Sequence, residues 1–312
     1  MSEVTLLEQT KLITDPQKIQ VANVFATEYA PQKLLPFERI TGYHKPFTLV
    51  DTLPTVAPRD FGVDFTSDYG KSSTYNVPWK NYGGKLEVDK SLRKGNPAGA
   101  AMQELMQIQS IAKQWATDVF QGTGGTSMTG VKTFLEQFFP GQVLDAAAGT
   151  HTNGGDLLTM ADMDAALNLI DKEGSAIFCS QILVNRLTYL ARTNASGQQN
   201  IFWAPDSFGE QVLTYNKIPI YTMIDQYTSK DLLSVTDADY AVSGAATCTR
   251  LYIVNFGDMG VKGFSPDEPV LNIEMANPGT HVEITRLEMN TGITVMQPRS
   301  AVEIRFIKNS VT

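Results

Sequence analysis

Apolar residues recur at helical spacing in four segments of the chain. The longest segment lies between Asn96 and Gly122. Asn96-Pro97 is typical of a helix start, and Gly122 is typical of a helix end. The pattern predicts one helix of about 24 residues, roughly 36 Å long at ~1.5 Å per residue, about twice the usual length. Its apolar face consists of Met102, Leu105, Ile108, Ala112, Trp115 and Val119.

Three shorter helices are predicted from the same kind of pattern. The first begins at Asp15-Pro16 and ends before Pro31. The second begins at Thr159, which forms a capping box with Asp162, and ends before Gly174. The third covers QILVNRLTYLARTNA. Their apolar faces are Ile19, Ala22, Phe25 and Tyr29 in the first, Met163, Ala166, Leu167 and Ile170 in the second, and Leu183, Leu187 and Leu190 in the third.

Strands are predicted where apolar residues alternate with polar ones or form short uninterrupted runs. A single strand, GGKLEVDKSL, precedes the long helix. After the capped helix come the short strand SAIFCS, two strands around a turn in QVLTYNKIPIYTMID, and the buried strand TCTRLYIVNFG. The C-terminal region alternates throughout, in VEITRLEMN, TGITVMQP and AVEIRFIKN.

Residues 44–82 differ from the rest of the chain in composition and in the pattern of apolar residues. They contain four prolines and many aromatic residues, without a helical period, and have strand character at 47–50 and 73–77. So long a segment with little means of burying itself is uncommon within a compact domain. It predicts a protruding two-stranded arm that needs a partner; an ordinary surface hairpin is the alternative.

Composition and charge narrow the class of protein. Hydrophobic residues make up 42% of the 312 and charged residues 19%, which is typical of a globular protein. The net charge of −8 argues against nucleic-acid binding as the main task, because such proteins carry clustered Lys and Arg. No run approaches the ~18–20 apolar residues of a membrane span. The N-terminus lacks the pattern of a signal peptide, so a cytoplasmic origin is expected.

The sequence offers few candidates for catalysis or metal binding. Cys179 and Cys248 lie in apolar, strand-like surroundings and are expected to be buried thiols. His44, His151 and His281 are scattered, so neither a metal nor a cofactor is predicted. The remaining candidates, for which packing, capping or solvated roles are expected, are Ser127, Ser180, Ser265, Trp79, Trp115, Trp203 and the pairs Asp162/Asp164 and Asp237/Asp239.

GTSMTGVKT, residues 125–133, comes within one residue of a phosphate-binding loop. Gly125 and Gly130 have the required spacing, but Val131 takes the place of the lysine and Lys132 follows it. A phosphate loop leaves a strand and opens a helix, whereas this segment follows the C-terminal end of the long helix. We interpret the glycines as ending that helix and turning the chain; a nucleotide enzyme is the competing hypothesis.

The order of these features resembles the major capsid proteins of tailed phages, which have the Hong Kong 97-type fold. Three stretches carry the resemblance. The arm, strand and long helix, GGKLEVDKSL…NPAGAAMQELMQIQSIAKQWATDVFQGTGG, resemble the family's extended loop, P-domain strand and spine helix. TMADMDAALNLIDKEGSAIFCSQILVNRLTYL is similar to the start of its A-domain. YNKIPIYTMID…CTRLYIVNFGDMGVKGF…MNTGITVMQPRSAVEIRFIK resembles the closing A-domain strands and the return to the P-domain.

The resemblance implies an α+β fold with four parts. Residues 1–43 would form an N-arm and 44–82 the extended loop. Residues 83–156 and 263–312 would form the P-domain, and 157–262 an inserted A-domain. In a shell the extended loop would lie across a neighbouring subunit and bury aromatic residues there. The expected assembly contacts are Phe47, Phe61, Phe65 and Trp79.

The function implied is a non-enzymatic one. Hexamers and pentamers of the protein would assemble into an icosahedral shell around the double-stranded DNA of a tailed phage, in the host cytoplasm, and would remain in the virion. The N-arm is short, so a separate scaffolding protein is expected, with a portal protein and possible decoration proteins as further partners. Lys71 and Lys80 lie on the arm, but the family's crosslinking partners have no match. An encapsulin-type compartment that encloses a cargo enzyme is the alternative.

Overall fold

The computed structural model describes residues 4–6, 11, 16–146, 155–171, 173–193, 201–205, 209, 211–225, 227–233, 248–267, 271–276 and 281–311. The strands are β1 (Val4–Thr5), β2 (Pro36–Arg39), β3 (His44–Thr52), β4 (Lys71–Pro78), β5 (Lys80–Asp89), β6 (Val143–Asp145), β7 (Ser175–Cys179), β8 (Ile201–Pro205), β9 (Gln211–Tyr215), β10 (Ile218–Thr222), β11 (Cys248–Asn255), β12 (Val261–Ser265), β13 (Asn272–Ala276), β14 (Val282–Val295) and β15 (Ala301–Lys308).

The helices are α1 (Pro16–Glu28), α2 (Ala30–Leu34), α3 (Lys90–Gly95), α4 (Pro97–Gln121), α5 (Val131–Phe138), α6 (Met160–Leu169) and α7 (Gln181–Thr193). None of these described helices combines the length and the apolar character that a membrane crossing requires. The mixed α+β character expected from the sequence is confirmed.

The strands form two large sheets and a separate hairpin. The first sheet has the order β1-β2-β12-β14-β13, with β5 pairing antiparallel to β14 from Val282↔Asp89 to Thr291↔Lys80. The second has the order β6-β15-β11-β7-β10-β9-β8, and the hairpin is β3-β4. The C-terminal strand β15 joins the second sheet, although its residues fall in the predicted P-domain range. The second sheet therefore combines strands from the predicted P-domain and the predicted A-domain.

The long helix α4 begins and ends as the sequence predicts. The Asn96 side chain accepts a hydrogen bond from the Gly99 backbone N–H at 2.9 Å, and Gly122 is the C-cap. The helix has 25 residues, and its face is buried from Ile108 onward. The prediction that Met102 belongs to the buried face was wrong, because its side chain is 54% exposed. The rest of the chain covers the C-terminal part of the helix and leaves its first turns open.

The N-terminal segment packs onto the middle of α4. Trp115 is fully buried, with ring-centroid distances of 6.0 Å to Phe25 of α1 and 6.3 Å to Phe37 of β2. The first helix, α1, ends at Glu28, before Pro31, as predicted. Pro31 itself lies in the first turn of the short helix α2, a position where proline is tolerated. At least part of the predicted N-arm is thus built into the subunit's core.

The α6–β7–α7 segment matches its prediction closely. Thr159 and Asp162 form the expected capping box, and the expected apolar faces of both helices are buried. β11 is buried along nearly its whole length between β7 and β15. The predicted strand character of VEITRLEMN and TGITVMQP is confirmed, and the two form one continuous strand, β14. The prediction for Trp203 was wrong, because this residue of β8 is 65% exposed instead of packed.

Candidate assembly interface

The segment predicted to be the extended loop forms a long hairpin. β3 and β4 pair antiparallel from His44↔Pro78 to Thr52↔Lys71, with one register shift after Val50. The chain between them, residues 53–70, contains no strand or helix. The hairpin leads through Trp79 into β5, so that its base is continuous with the first sheet. The predicted arm of residues 44–82 thus ends slightly inside that sheet.

The base of the hairpin is packed against α5, a helix that the sequence analysis missed. Phe47 is 1% exposed, and its ring lies 6.1, 5.8 and 6.1 Å from those of Phe134, Phe138 and Phe139. Tyr75 adds a ring contact to Phe138 at 4.7 Å. Most of these pairs are edge-to-face, a favoured arrangement of aromatic rings. The base therefore belongs to the subunit's own core.

The burial of Phe47 corrects its expected role. A side chain that exposes 1% of its surface has almost nothing left to bury against a neighbouring subunit. The signal for this was present in the sequence: Lys45, Phe47 and Leu49 alternate on one face of β3, and TFLEQFF follows the glycine turn. Phe47 therefore belongs to the core of its own subunit.

Trp79 lies at the junction between the hairpin and the first sheet. Its indole Nε1 donates a hydrogen bond to the backbone oxygen of Gly42 at 3.0 Å. Its ring stacks on Tyr43 with a centroid distance of 6.0 Å and an interplanar angle of 17°. Trp79 is half-buried and Tyr43 is 80% exposed, so this aromatic pair fixes the base of the hairpin and still presents surface to solvent.

The tip of the hairpin, residues 50–72, is exposed at every position. Phe61 is fully exposed, and Phe65 is 63% exposed. The other large apolar residues of the tip, each more than half exposed, are Val50, Leu53, Val56, Val63 and Tyr69. Single exposed apolar residues are ordinary, but a cluster of this kind marks an interaction site.

Local contacts shape the tip without burying it. The Thr55 backbone N–H donates to Asp68 Oδ2 at 2.8 Å, and this bond holds the pKa of the Asp68 carboxyl below its usual range. Arg59 donates to the backbone oxygen of Val63 at 2.7 Å, and its guanidinium lies 4.9 Å from the centre of the Phe65 ring. The tip is thus partly organised before any partner covers it.

The near-match to a phosphate loop forms a closed turn between α4 and α5. It does open a helix, which the sequence analysis did not foresee, but no strand precedes it. The Gly130 N–H donates to the Gly122 backbone oxygen at 2.8 Å, and Gly124 N–H donates to that of Met128. A Cβ on Gly122 would lie 2.1 Å from the Met128 oxygen, so glycine is required there by close packing. These N–H groups are hydrogen-bonded within the turn.

The candidate nucleophiles have structural surroundings. The Ser127 hydroxyl accepts from the Thr123 N–H at 3.0 Å, and the Ser265 hydroxyl donates to the Asn290 backbone oxygen at 2.6 Å. Ser180 is fully buried. The cysteines are buried thiols, as predicted, and burial raises the pKa of the Cys179 thiol.

The acidic pairs and histidines do not assemble into a site in the described part of the chain. Asp162 caps α6, and Asp164 accepts a hydrogen bond from the Tyr215 hydroxyl at 2.7 Å. Among the described residues, no group of three His, Cys, Asp or Glu side chains could hold a metal ion. His151, Asp237 and Asp239 lie outside the described residues.

Comparison with solved structures identifies the architecture. The chain matches an encapsulin of the holo-SrpI complex from Synechococcus elongatus with a TM-score of 0.61 and 13% identity, over 89% of this chain and 86% of that one. It matches the capsid of a native GTA particle with a TM-score of 0.57 and 11% identity, over 91% and 90%. A Mycobacterium phage Bobi structure matches at 0.55 and 11%, over 97% and 98%.

The chain has a capsid fold. The resemblance drawn from the sequence is confirmed at this level, although the identities are too low to show more than the fold. No protein-family model and no curated protein sequence matches the chain. In the part of the chain that the structure describes, the hairpin tip is a cluster of apolar side chains that the subunit itself leaves uncovered.

Proposed function

We propose that this protein is the structural subunit of a closed protein shell. The observation that carries the proposal is the hairpin tip, residues 50–72, which is exposed throughout and rich in large apolar side chains. Burial of each such side chain is worth about 1.5–3 kcal/mol relative to exposure. Repeated at every contact between subunits, this burial would drive assembly. The proposed contacts are Phe61, Phe65 and the exposed part of Trp79.

In its specific form, we propose the major capsid protein of a tailed phage. Hexamers and pentamers would form an icosahedral shell around double-stranded DNA, assembled in the host cytoplasm and retained in the virion. The net charge of −8 supports a container that encloses DNA without gripping it. A separate scaffolding protein, a portal protein and decoration proteins are the proposed partners. The division into N-arm, extended loop, P-domain and inserted A-domain belongs to the same proposal.

An encapsulin-type compartment is the second candidate. It is favoured by the similarity to the Synechococcus elongatus encapsulin over most of both chains. Such a shell would enclose a protein instead of a genome. Both candidates need the same contacts between subunits, so they differ in the contents of the shell and in the partners required.

Negative-stain microscopy of the purified protein tests the proposal. The protein would be examined alone and after co-expression with a scaffolding protein encoded beside it. We expect closed shells, or capsomers that close when the scaffolding protein is present. A monomer that persists at high concentration in both arms would overturn the proposal. Nuclease-protected DNA of genome length within native particles favours the phage capsid, whereas an enclosed enzyme favours the encapsulin.

A further inference from the structure

The hairpin joins the first sheet beside the C-terminal end of α4. β5 pairs with β14 from Lys80 onward, so Lys80 marks the point where the chain passes from the hairpin into the sheet. Residues 122–130, which follow α4 and which we call the glycine turn, lie against this point. Because side chains alternate along a strand, Lys80 and Tyr82 lie on the same face of β5. Both of them bond to the glycine turn.

The two contacts attach the glycine turn to β5 at separate places. Lys80 Nζ donates a hydrogen bond to the backbone oxygen of Gly125. The Met128 N–H donates to the Tyr82 hydroxyl at 3.2 Å. Tyr82 is 8% exposed and Met128 is fully buried, so the second contact lies inside the subunit. The turn is thus held against the strand on its surface side and on its buried side.

The Tyr82 hydroxyl also bonds to the last turns of α4. It donates to Asp118 Oδ2 at 2.7 Å, and Asp118 Oδ1 accepts from Gln114 Nε2 at 2.9 Å. Burial and the Asp118 carboxylate raise the pKa of Tyr82, so the hydroxyl keeps its proton at neutral pH. A hydrogen bond to an ionised carboxylate is stronger than one between neutral groups. Tyr82 therefore connects β5, the glycine turn and α4 through one oxygen atom.

The glycine turn is closed by its own backbone. The Gly130 N–H donates to the Gly122 oxygen at 2.8 Å, and a Cβ on Gly130 would lie 2.5 Å from the Gly122 nitrogen. Gly124 has a φ of +81°, a conformation that residues other than glycine rarely adopt. These contacts give the turn one compact shape. A displacement of the end of α4 should therefore move the turn as a unit, together with the side chains bonded to it.

The other strand of the hairpin is held by the chain that follows the turn. α5 begins at Val131, directly after the turn, and the Phe134 ring contacts Phe47 of β3 at 6.1 Å. The turn and α5 thus hold both sides of the hairpin where it leaves the subunit, Phe47 on one strand and Tyr82 on the next.

We propose that the glycine turn is a clamp that sets the direction in which the hairpin leaves the subunit, and that Tyr82 is its positioning residue. The inference rests on the proposed shell function, in which the direction of the tip decides the angle between neighbouring subunits and hence the curvature of the shell. The nine residues of β3 span about 30 Å. A rotation of about 10° at the clamp would displace the far end of such a strand by about 5 Å.

Distance measurements in the unassembled subunit test the clamp. Spin labels on Ser72→Cys in β4 and Ser110→Cys on α4, two exposed positions, report the direction of the hairpin by pulsed electron paramagnetic resonance, and both native cysteines are buried. Tyr82→Phe should shift or broaden the distance distribution by about 5 Å, as a rotation of ~10° implies. Tyr75→Phe, the same change where the ring contacts Phe138, should leave the distribution unaltered.

Thermal unfolding of the same variants separates positioning from stability. If Tyr82→Phe lowers the unfolding temperature but leaves the distance distribution as it was, Tyr82 only stabilises the fold and the clamp is overturned. Equal shifts in the Tyr82 and Tyr75 variants would also contradict it, because Tyr75 has no bond to the turn among the described contacts.

Shell diameter gives an independent readout. Electron microscopy of shells of Tyr82→Phe should show a wider range of diameters, or shells left open, whereas shells of Tyr75→Phe should keep the diameters of the unaltered protein. Uniform and unchanged diameters in the Tyr82 variant would overturn the link between the clamp and curvature. If the unaltered protein forms no shells at all, it is the proposed function that fails, and the distance measurement still decides the clamp.

Discussion

The two ends of the extended hairpin both carry aromatic residues but lie in opposite environments. At the base, Phe47 is 1% exposed and touches three aromatic rings of its own subunit. At the tip, Phe61 is fully exposed. The hairpin is therefore not a single assembly arm. Its base is part of the subunit's core, and its tip is exposed.

Deletion of the tip should have the largest effect, and on assembly alone. Replacing residues 53–70 with Asn-Gly joins β3 and β4 by a favoured two-residue turn. Because every deleted residue is exposed, the subunit should stay folded and soluble, yet close no shells. Thermal unfolding and negative-stain microscopy measure the two properties separately. An unfolded variant would show that the tip belongs to the core.

In limited proteolysis, the tip should be cleaved at a rate orders of magnitude higher than the base. Trypsin should cut the unassembled subunit first at Arg59 or Lys71, which are exposed in an irregular segment or at its edge. Lys80, which lies at the base of the hairpin in β5 and is paired with Thr291 of β14, should resist. In shells the cuts at Arg59 and Lys71 should be suppressed. Equal rates before and after assembly would show that no neighbour covers the tip.

Two matched substitutions should differ strongly in subunit stability. Phe47→Ala should lower the free energy of unfolding by about 3–5 kcal/mol, because it leaves a cavity among buried rings. Phe61→Ala should change it by less than about 0.5 kcal/mol, since the side chain contacts solvent. Denaturant titration of both variants measures the difference. Similar values would remove the distinction between base and tip.

Acid should reveal a contrast between a buried aspartate outside the hairpin and an exposed aspartate on its tip. Asp225 is 2% exposed, and its bonds to Lys113 at 2.7 Å and to Thr228 lower its pKa from 3.8 to about 2. A lowered pKa in the folded state stabilises the protein above pH ~4, and this stability is lost as the pH falls from about 4 to about 2. The expected loss is about 2 kcal/mol.

Asp225→Asn should abolish that part of the pH dependence. Asp68→Asn serves as the control, because Asp68 also has a lowered pKa but lies on the exposed tip. It should leave the global stability curve between pH 2 and 4 nearly unchanged. Unfolding in denaturant at several pH values measures both. A larger acid effect from Asp68 than from Asp225 would contradict the assignment.

The smallest effect is expected in the glycine turn. Lys132→Ala should leave assembly nearly intact and remove no hydrolysis of ATP, because the turn's N–H groups bond within the turn. Shell yield and phosphate release measure these outcomes. ATP turnover that disappears in the variant would restore the nucleotide-enzyme hypothesis.

Local signals in the sequence determined where several elements begin and end. Asn96 and Gly122 bound α4, and the Thr159–Asp162 capping box starts α6, because caps satisfy backbone groups within a few residues. A short apolar run also placed β11, and an alternating pattern placed β15. These interactions are short-range, so one sequence was enough to predict them.

The tertiary structure alone decided which apolar residues the subunit buries for itself. α5 was not predicted because its eight residues are too few for a helical period to be recognised. Without α5 the sequence offered no partner for Phe47, and Phe47, Phe61 and Phe65 looked alike. The base is buried and the tip is exposed because β3 packs against a helix some 90 residues away in the chain. The burial of a side chain depends on such distant neighbours, whereas its hydrophobicity does not.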